Sequence, residues 1–96
     1  MNRADVLEHL TRSKPTLAAR YGVTDIALFG SMVRNAARVD SDIDILVSFE
    51  GPATSARYFG VQFFLEDLLG HRIDLVTNKA LRPELRPFIE KEAVHV

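Results

Sequence analysis

The stretch Phe29-Gly30-Ser31-Met32-Val33-Arg34, then residues 35–40, then Ser41-Asp42-Ile43-Asp44-Ile45-Leu46-Val47 decides how the rest of the chain is read. A Gly-Ser pair lies between a short apolar run and a candidate helix. Two aspartates then alternate with apolar residues. The run before the glycine, Ile26-Ala27-Leu28-Phe29, reads as the end of a strand over 23–29, because a flanking glycine favours a strand over a buried helix piece. Ser31 is a good N-cap for a short helix through Ala37. Residues 38–41 read as a polar loop. Residues 42–49 are β-branched and apolar and form the strongest strand signal in the chain.

Outward from this stretch, helices and strands alternate. Val6, Leu7 and Leu10 share a face of a weak helical pattern over 3–12. Ser13 can cap a second short helix with Pro15 in its first turn, or the two are one helix broken near Pro15; Gly22 is the stop. Downstream, Glu50-Gly51-Pro52 ends the strand and Thr54 or Ser55 caps a helix over 56–69. In that helix Tyr58, Val61, Phe64, Leu65, Leu68 and Leu69 fall on one side of a 3.6-residue period. Gly70 closes it. A strand over 71–77, a turn over 78–82, a helix over 83–91 and a short edge strand over 93–96 complete the order. Such alternation implies an α/β (α+β) fold, a small sheet covered by helices.

Ninety-six residues make one expected domain, spanning 1–96. With 47% apolar and 26% charged residues the composition is that of an ordinary globular protein. A net charge of −1 gives no global basic field, so direct nucleic-acid binding is not expected. No cysteine is present, which excludes disulfides, thiolate zinc sites and thiol catalysis. No apolar run is long enough for a membrane span, and Met1-Asn2-Arg3-Ala4-Asp5 has no apolar stretch behind it that would make a signal peptide. The expected location is cytoplasmic. His9, His71 and His95 have no metal-site spacing, and Tyr58, Phe59, Phe63 and Phe64 look like core and partner-facing aromatics rather than a base-stacking platform.

The chemistry concentrates in the acids. On a strand, Asp42 and Asp44 point to the same face while Ile43 and Ile45 point into the core. Two carboxylates held this close repel, so one takes a proton or a cation sits between them. Magnesium suits such a site, since it takes oxygen ligands and keeps waters beside a phosphate. Two solvated acids at a strand start are the plainer reading. Asp74 lies within His71-Arg72-Ile73-Asp74-Leu75-Val76, where strand propensity disfavours it. If its strand pairs beside 42–47, roughly 4.8 Å away, the carboxylates of Asp42, Asp44 and Asp74 converge. Otherwise Asp74 sits on a solvated edge. Gly30 permits close backbone approach, and the N-terminus of the helix after it, with Ser31, can hold a phosphate. The spacing of a P-loop is absent. Arg34, one turn on, can reach a phosphate, hold an aspartate or form a surface ion pair; Ser41 can fix the loop by a local hydrogen bond.

Taken together, Gly30-Ser31, Arg34, Ser41-Asp42, Asp44 and Asp74 resemble the Gly-Ser … Asp-x-Asp … Asp signature of the DNA polymerase β-like nucleotidyltransferase superfamily. More narrowly, the chain resembles the minimal nucleotidyltransferase (MNT) antitoxins over nearly its whole length, including residues 70–77 and 81–94. Met32 and Asn35 stand where that pattern has smaller residues or glycine. The resemblance implies a small mixed sheet with helices on one side, a nucleotidyltransferase-like fold. It implies ATP as donor, with Gly30, Ser31, Arg34 and Ser41 on the nucleotide, and two Mg²⁺ ions at Asp42, Asp44 and Asp74 as metal-binding and catalytic residues. It also implies a HEPN-type ribonuclease toxin as partner in a hetero-oligomer, with AMP transferred to a toxin tyrosine by two-metal phosphoryl transfer.

Larger relatives carry an acceptor-binding domain, for which this length leaves no residues, so the acceptor is expected on a separate protein. Two alternatives stand beside transfer to a toxin: an antitoxin acting by occlusion without catalysis, and a nucleotidyltransferase for a small hydroxylated acceptor.

Overall fold

The computed structural model describes residues 1–38 and 40–96; Val39, in the loop expected over 38–41, lies outside the described residues. The chain begins with α1 (Arg3–Tyr21), whose Asn2 cap and Asp5 side chain satisfy each other's backbone N–H groups. Pro15 lies inside it, and no break occurs. A mid-helix proline costs about 3 kcal/mol. Val6, Leu10 and Leu17, on both sides of Pro15, are wholly buried, at roughly 1.5–3 kcal/mol each. Packing therefore outweighs the lost hydrogen bond, and the expected break is absent. Ser13, expected as a cap, is a buried helical residue instead.

Strand β1 (Val23–Phe29) leads into a single 3₁₀ turn, Gly30–Met32. The helix expected through Ala37 does not form. Asn35 adopts φ 56°, in the left-handed region that a right-handed helix cannot continue through. Strand β2 (Ile43–Phe49) follows, then α2 (Ser55–Leu69), capped by the Thr54 hydroxyl accepting from Arg57 N–H. Strand β3 (Ile73–Thr77) starts two residues later than expected, and a 3₁₀ turn (Asn78–Ala80) leads on. The last helix, α3 (Arg86–Glu92), begins three residues later than expected, and β4 (Val94–His95) closes the chain.

The strands form one mixed sheet in the order β3-β2-β1-β4. β1 is antiparallel to both β2 and β4, and β2 is parallel to β3. Parallel neighbours need a crossover, and α2 supplies it. The two faces differ. Ile26, Leu28, Ile43, Ile45, Val47, Ile73 and Leu75 pack with Val6, Leu10 and Leu17 of α1 and Val61, Leu65 and Leu69 of α2. On the opposite face Ala27, Phe29 and Leu46 form a smaller cluster with Leu81, Val76, Ile89 and Ala93. The long helices thus share one side, and α3 covers only part of the other. Strand alternation puts Asp44 and Asp74 on that second, half-covered face.

Candidate active site

Register decides which acids meet. Asp44 pairs with Asp74 across the parallel β2–β3 ladder and with Phe29 across the antiparallel β1–β2 ladder. The next residue of β1's exit is Gly30, whose φ is 77°. A Cβ at Gly30 would overlap the Asp44 carboxylate, so only glycine fits at this crossing. The Ser31 backbone N–H favours the ionised form of the same carboxylate. The Gly-Ser turn therefore closes directly over β2 at Asp44.

The electrostatics are those of crowded acids. The Asp44 carboxyl is pushed up from 3.8 to about 6, first by burial, then by the charge and hydrogen bond of Asp74 and by the charge of Asp42; the Ser31 N–H pulls the other way. A proton held on Asp44 is one way to relieve the repulsion between the two carboxyl groups. A divalent cation is the alternative occupant of such an all-oxygen position, and the donor set suits magnesium. Asp42, just before β2, is turned outward: its Oδ1 lies 3.2 Å from Arg72 Nε. Among the described residues no group of three or more His, Asp or Glu stands assembled around a cation position. The Asp42 carboxylate instead faces Arg72, while its charge still acts on Asp44.

The other sequence-selected residues are placed as follows. Ser41 Oγ accepts from Arg38 N–H at 2.9 Å and Ser41 N–H donates to Arg38 O at 3.0 Å, so it fixes its own loop. Arg34 does not point at the acids. Its Nη1 donates to both carboxylate oxygens of Glu92, at 3.0 and 2.8 Å. Asn35 and Met32, the departures from the family pattern, are both accommodated: Asn35 takes the left-handed turn position and Met32 packs against the main core. Sequence reasoning missed Arg72 and Glu92. Arg72 carried a signal, being a cation two residues before Asp74 on a neighbouring strand. Glu92 carried none, since 58 residues separate it from Arg34.

An apolar hollow of about 170 Å³ lies at the opposite ends of β2 and β3, lined by Val47, Phe49, Ala53 and Thr77. It is three residues along each strand from Asp44 and Asp74 and does not include them. Among the described residues no helix is long and apolar enough to cross a membrane.

Residues 10–96 match the family described as a nucleotidyltransferase domain. The chain is 41% identical over 87 residues to protein adenylyltransferase MntA of Thermococcus cleftensis, spanning 91% of this chain and 88% of that protein. A solved structure provisionally named a minimal nucleotidyltransferase superposes with a TM-score of 0.81 at 37% identity, over 98% of this chain and 95% of that one. A complex of a tri-AMPylated HEPN toxin with its MNT antitoxin, from Shewanella oneidensis, gives a TM-score of 0.66 at 18% identity, over 94% of this chain and 70% of that one. At that identity the likeness is one of fold. The sheet order, the Gly-Ser turn over Asp44 and these relatives agree, and the chain belongs to the nucleotidyltransferase domain family, among its minimal nucleotidyltransferases.

Proposed function

We propose that this chain is the antitoxin of a HEPN/MNT pair and transfers AMP from ATP to a tyrosine hydroxyl of its partner toxin. The observation that carries the reading is the Asp44–Asp74 pair beneath the Gly30–Ser31 turn. A relative named as a protein adenylyltransferase supports the choice of reaction, and a relative complexed with an AMP-modified HEPN toxin supports the choice of acceptor. We assign the whole of residues 1–96 to one such domain, acting in the cytoplasm with its toxin in a hetero-oligomer.

In this reading the acceptor oxygen bonds to the α-phosphorus as the bond to the bridging oxygen of the β-phosphate breaks, and pyrophosphate leaves. Ser31 and the turn around it hold the departing phosphates, with Gly30 letting them approach the backbone. Arg34 and Ser41 keep the turn and the loop in place around the nucleotide. Asp74 accepts the proton of the attacking hydroxyl. Asp42, Asp44 and Asp74 would hold two Mg²⁺ ions, which when bound neutralise charge on the attacking and leaving oxygens. The protein's remaining task is alignment of the reacting groups.

The test is to mix the purified toxin with this chain, ATP and Mg²⁺ and to weigh the toxin intact. A gain of one or more AMP units, absent with Asp42→Ala plus Asp44→Ala, is expected. An unmodified toxin that is nevertheless neutralised points to the second reading, inhibition by occlusion. That reading draws on Phe59 and Phe63, stacked on the outer side of α2 with ring centroids 6.2 Å apart and both half-exposed or more.

A further inference from the structure

Glu92 is the last residue of α3, immediately before Ala93 and β4, and no feature of the sequence marks it. Its carboxylate accepts three hydrogen bonds: two from Arg34 Nη1 and one, at 2.9 Å, from the backbone N–H of Gly30. Its side chain is only 24% exposed, against 57% for Arg34. An exposed ion pair stabilises by about 0–1 kcal/mol and positions nothing in particular. This one differs, because one of its donors is the glycine that lies over Asp44.

Gly30 is held from three directions. Its N–H donates to Glu92, its carbonyl accepts from Val33 N–H at 3.1 Å and Arg34 N–H at 3.3 Å, and its bare Cα faces the Asp44 carboxylate. Two of these restraints come from within the turn or from β2. Among the described residues, Glu92 ties the turn to the far end of the chain, where β4 pairs with Leu28 of β1. Without it, the Gly30–Ser31 backbone has one fewer fixed donor and Arg34 loses the anionic partner it has among the described residues.

We propose that Glu92 is a positioning residue: it fixes the Gly30–Ser31 turn at the distance from Asp44 that nucleotide binding needs, and it does so through Gly30 N–H and Arg34. The inference rests on the adenylyl-transfer reading for the ligand, but not on transfer itself. It assigns Arg34 to holding the turn rather than to contacting phosphate directly.

The test uses the full chain and a non-hydrolysable ATP analogue with Mg²⁺, titrated calorimetrically, alongside AMP transfer to the toxin. Glu92→Ala is expected to weaken analogue binding about tenfold, the scale of one lost charged hydrogen bond. Glu92→Gln keeps an acceptor for Gly30 N–H and is expected to recover most of that loss. Arg34→Ala combined with Glu92→Ala is expected to be no worse than Glu92→Ala alone, since both act through one contact. Glu92→Asp, one methylene shorter, serves where the alanine variant does not fold and is expected to weaken binding several-fold. Unchanged analogue affinity in a folded Glu92→Ala or Glu92→Asp chain overturns the proposal and leaves Glu92 a structural link only. Tighter binding in Glu92→Ala also overturns it, because Glu92 would then be competing with phosphate for Arg34. A wild-type chain that binds the analogue but modifies no toxin refutes the transfer reading, while the binding ratios still decide the role of Glu92.

Discussion

Asp74 stands directly beside Asp44 across the parallel β2–β3 ladder, and its carboxyl group helps push that of Asp44 above the ordinary carboxylate range. Side-by-side acids on a half-covered sheet face are unfavourable when both are ionised, so this pair costs stability unless a proton or a cation joins it. That cost belongs to the site rather than to the fold, and it can be measured.

The first prediction concerns pH. Asp44 ionises near its ordinary value of 3.8 when the chain is unfolded and at about 6 when folded. Its folded carboxyl keeps a proton that the unfolded one has released, so the stability this proton contributes without metal falls as pH rises from about 4 to 6, and that contribution is gone above the window. Asp44→Asn removes the ionisation. Thermal melts in a chelator are expected to show the variant more stable than wild type at pH 7.5, with the difference shrinking toward pH 4. Because Asp44 is proposed to hold the metal, the same variant is expected to lose more than about a hundredfold in AMP transfer, beyond the 10–100-fold that changes adjacent to a metal ligand cost. Equal melting curves at both pH values refute the assignment.

Gly30→Ala tests the crossing over Asp44. Its φ of 77° is strained for alanine, and the new methyl would overlap the carboxylate. Strain of this kind costs about 1–3 kcal/mol. The turn must also move away from Asp44, and a displacement of about 1 Å in a positioned group can cost a hundredfold in rate. Urea denaturation is expected to show the stability loss, and transfer assays on the folded fraction the rate loss. A folded variant with wild-type turnover would mean that the turn does not set the geometry of the reaction.

Arg72→Ala addresses the third acid. The Arg72–Asp42 pair is exposed, at 80% and 46%, so its loss is expected to change stability by less than about 0.5 kcal/mol. Yet Arg72 competes for the carboxylate that magnesium is proposed to use. Removing it is expected to lower the Mg²⁺ concentration for half-maximal transfer several-fold. A higher Mg²⁺ requirement would show instead that Arg72 orients Asp42 for the metal.

The legibility of this site was uneven for physical reasons. Asp44 and Asp74 were legible because each sits at a strand position that propensity disfavours, and because a parallel pairing of two short apolar strands leaves few registers. The turn after Gly30 was half legible: Ser31 looks like a helix cap, but Asn35 takes a left-handed conformation that local sequence permits without requiring. Pro15 misled in the opposite direction, since its cost is local and the burial of Leu10 and Leu17 that overrides it is tertiary. Glu92 was invisible, because its meaning depends on a contact made across 62 residues to Gly30.

Gly60→Ala tests the other face of the sheet, where the long helices meet. Gly60 lies in α2, and a Cβ there would run into the ring of Tyr21 at the end of α1. Alanine gains about 1 kcal/mol in intrinsic helix preference over glycine. Overpacking against a half-buried ring costs about 1–3 kcal/mol and is the larger effect. The Arg20 guanidinium, 5.1 Å from the centre of the Tyr21 ring, adds resistance to the ring's moving aside. Gly60→Ala is therefore expected to lower the urea midpoint with an unchanged slope, while transfer per folded molecule stays at wild type because Asp44 and Asp74 face away from both helices. In a Tyr21→Ala background the clash is gone and only the helix preference remains, so the same substitution is expected to stabilise. A destabilisation of equal size in both backgrounds would locate the obstacle elsewhere than at Tyr21.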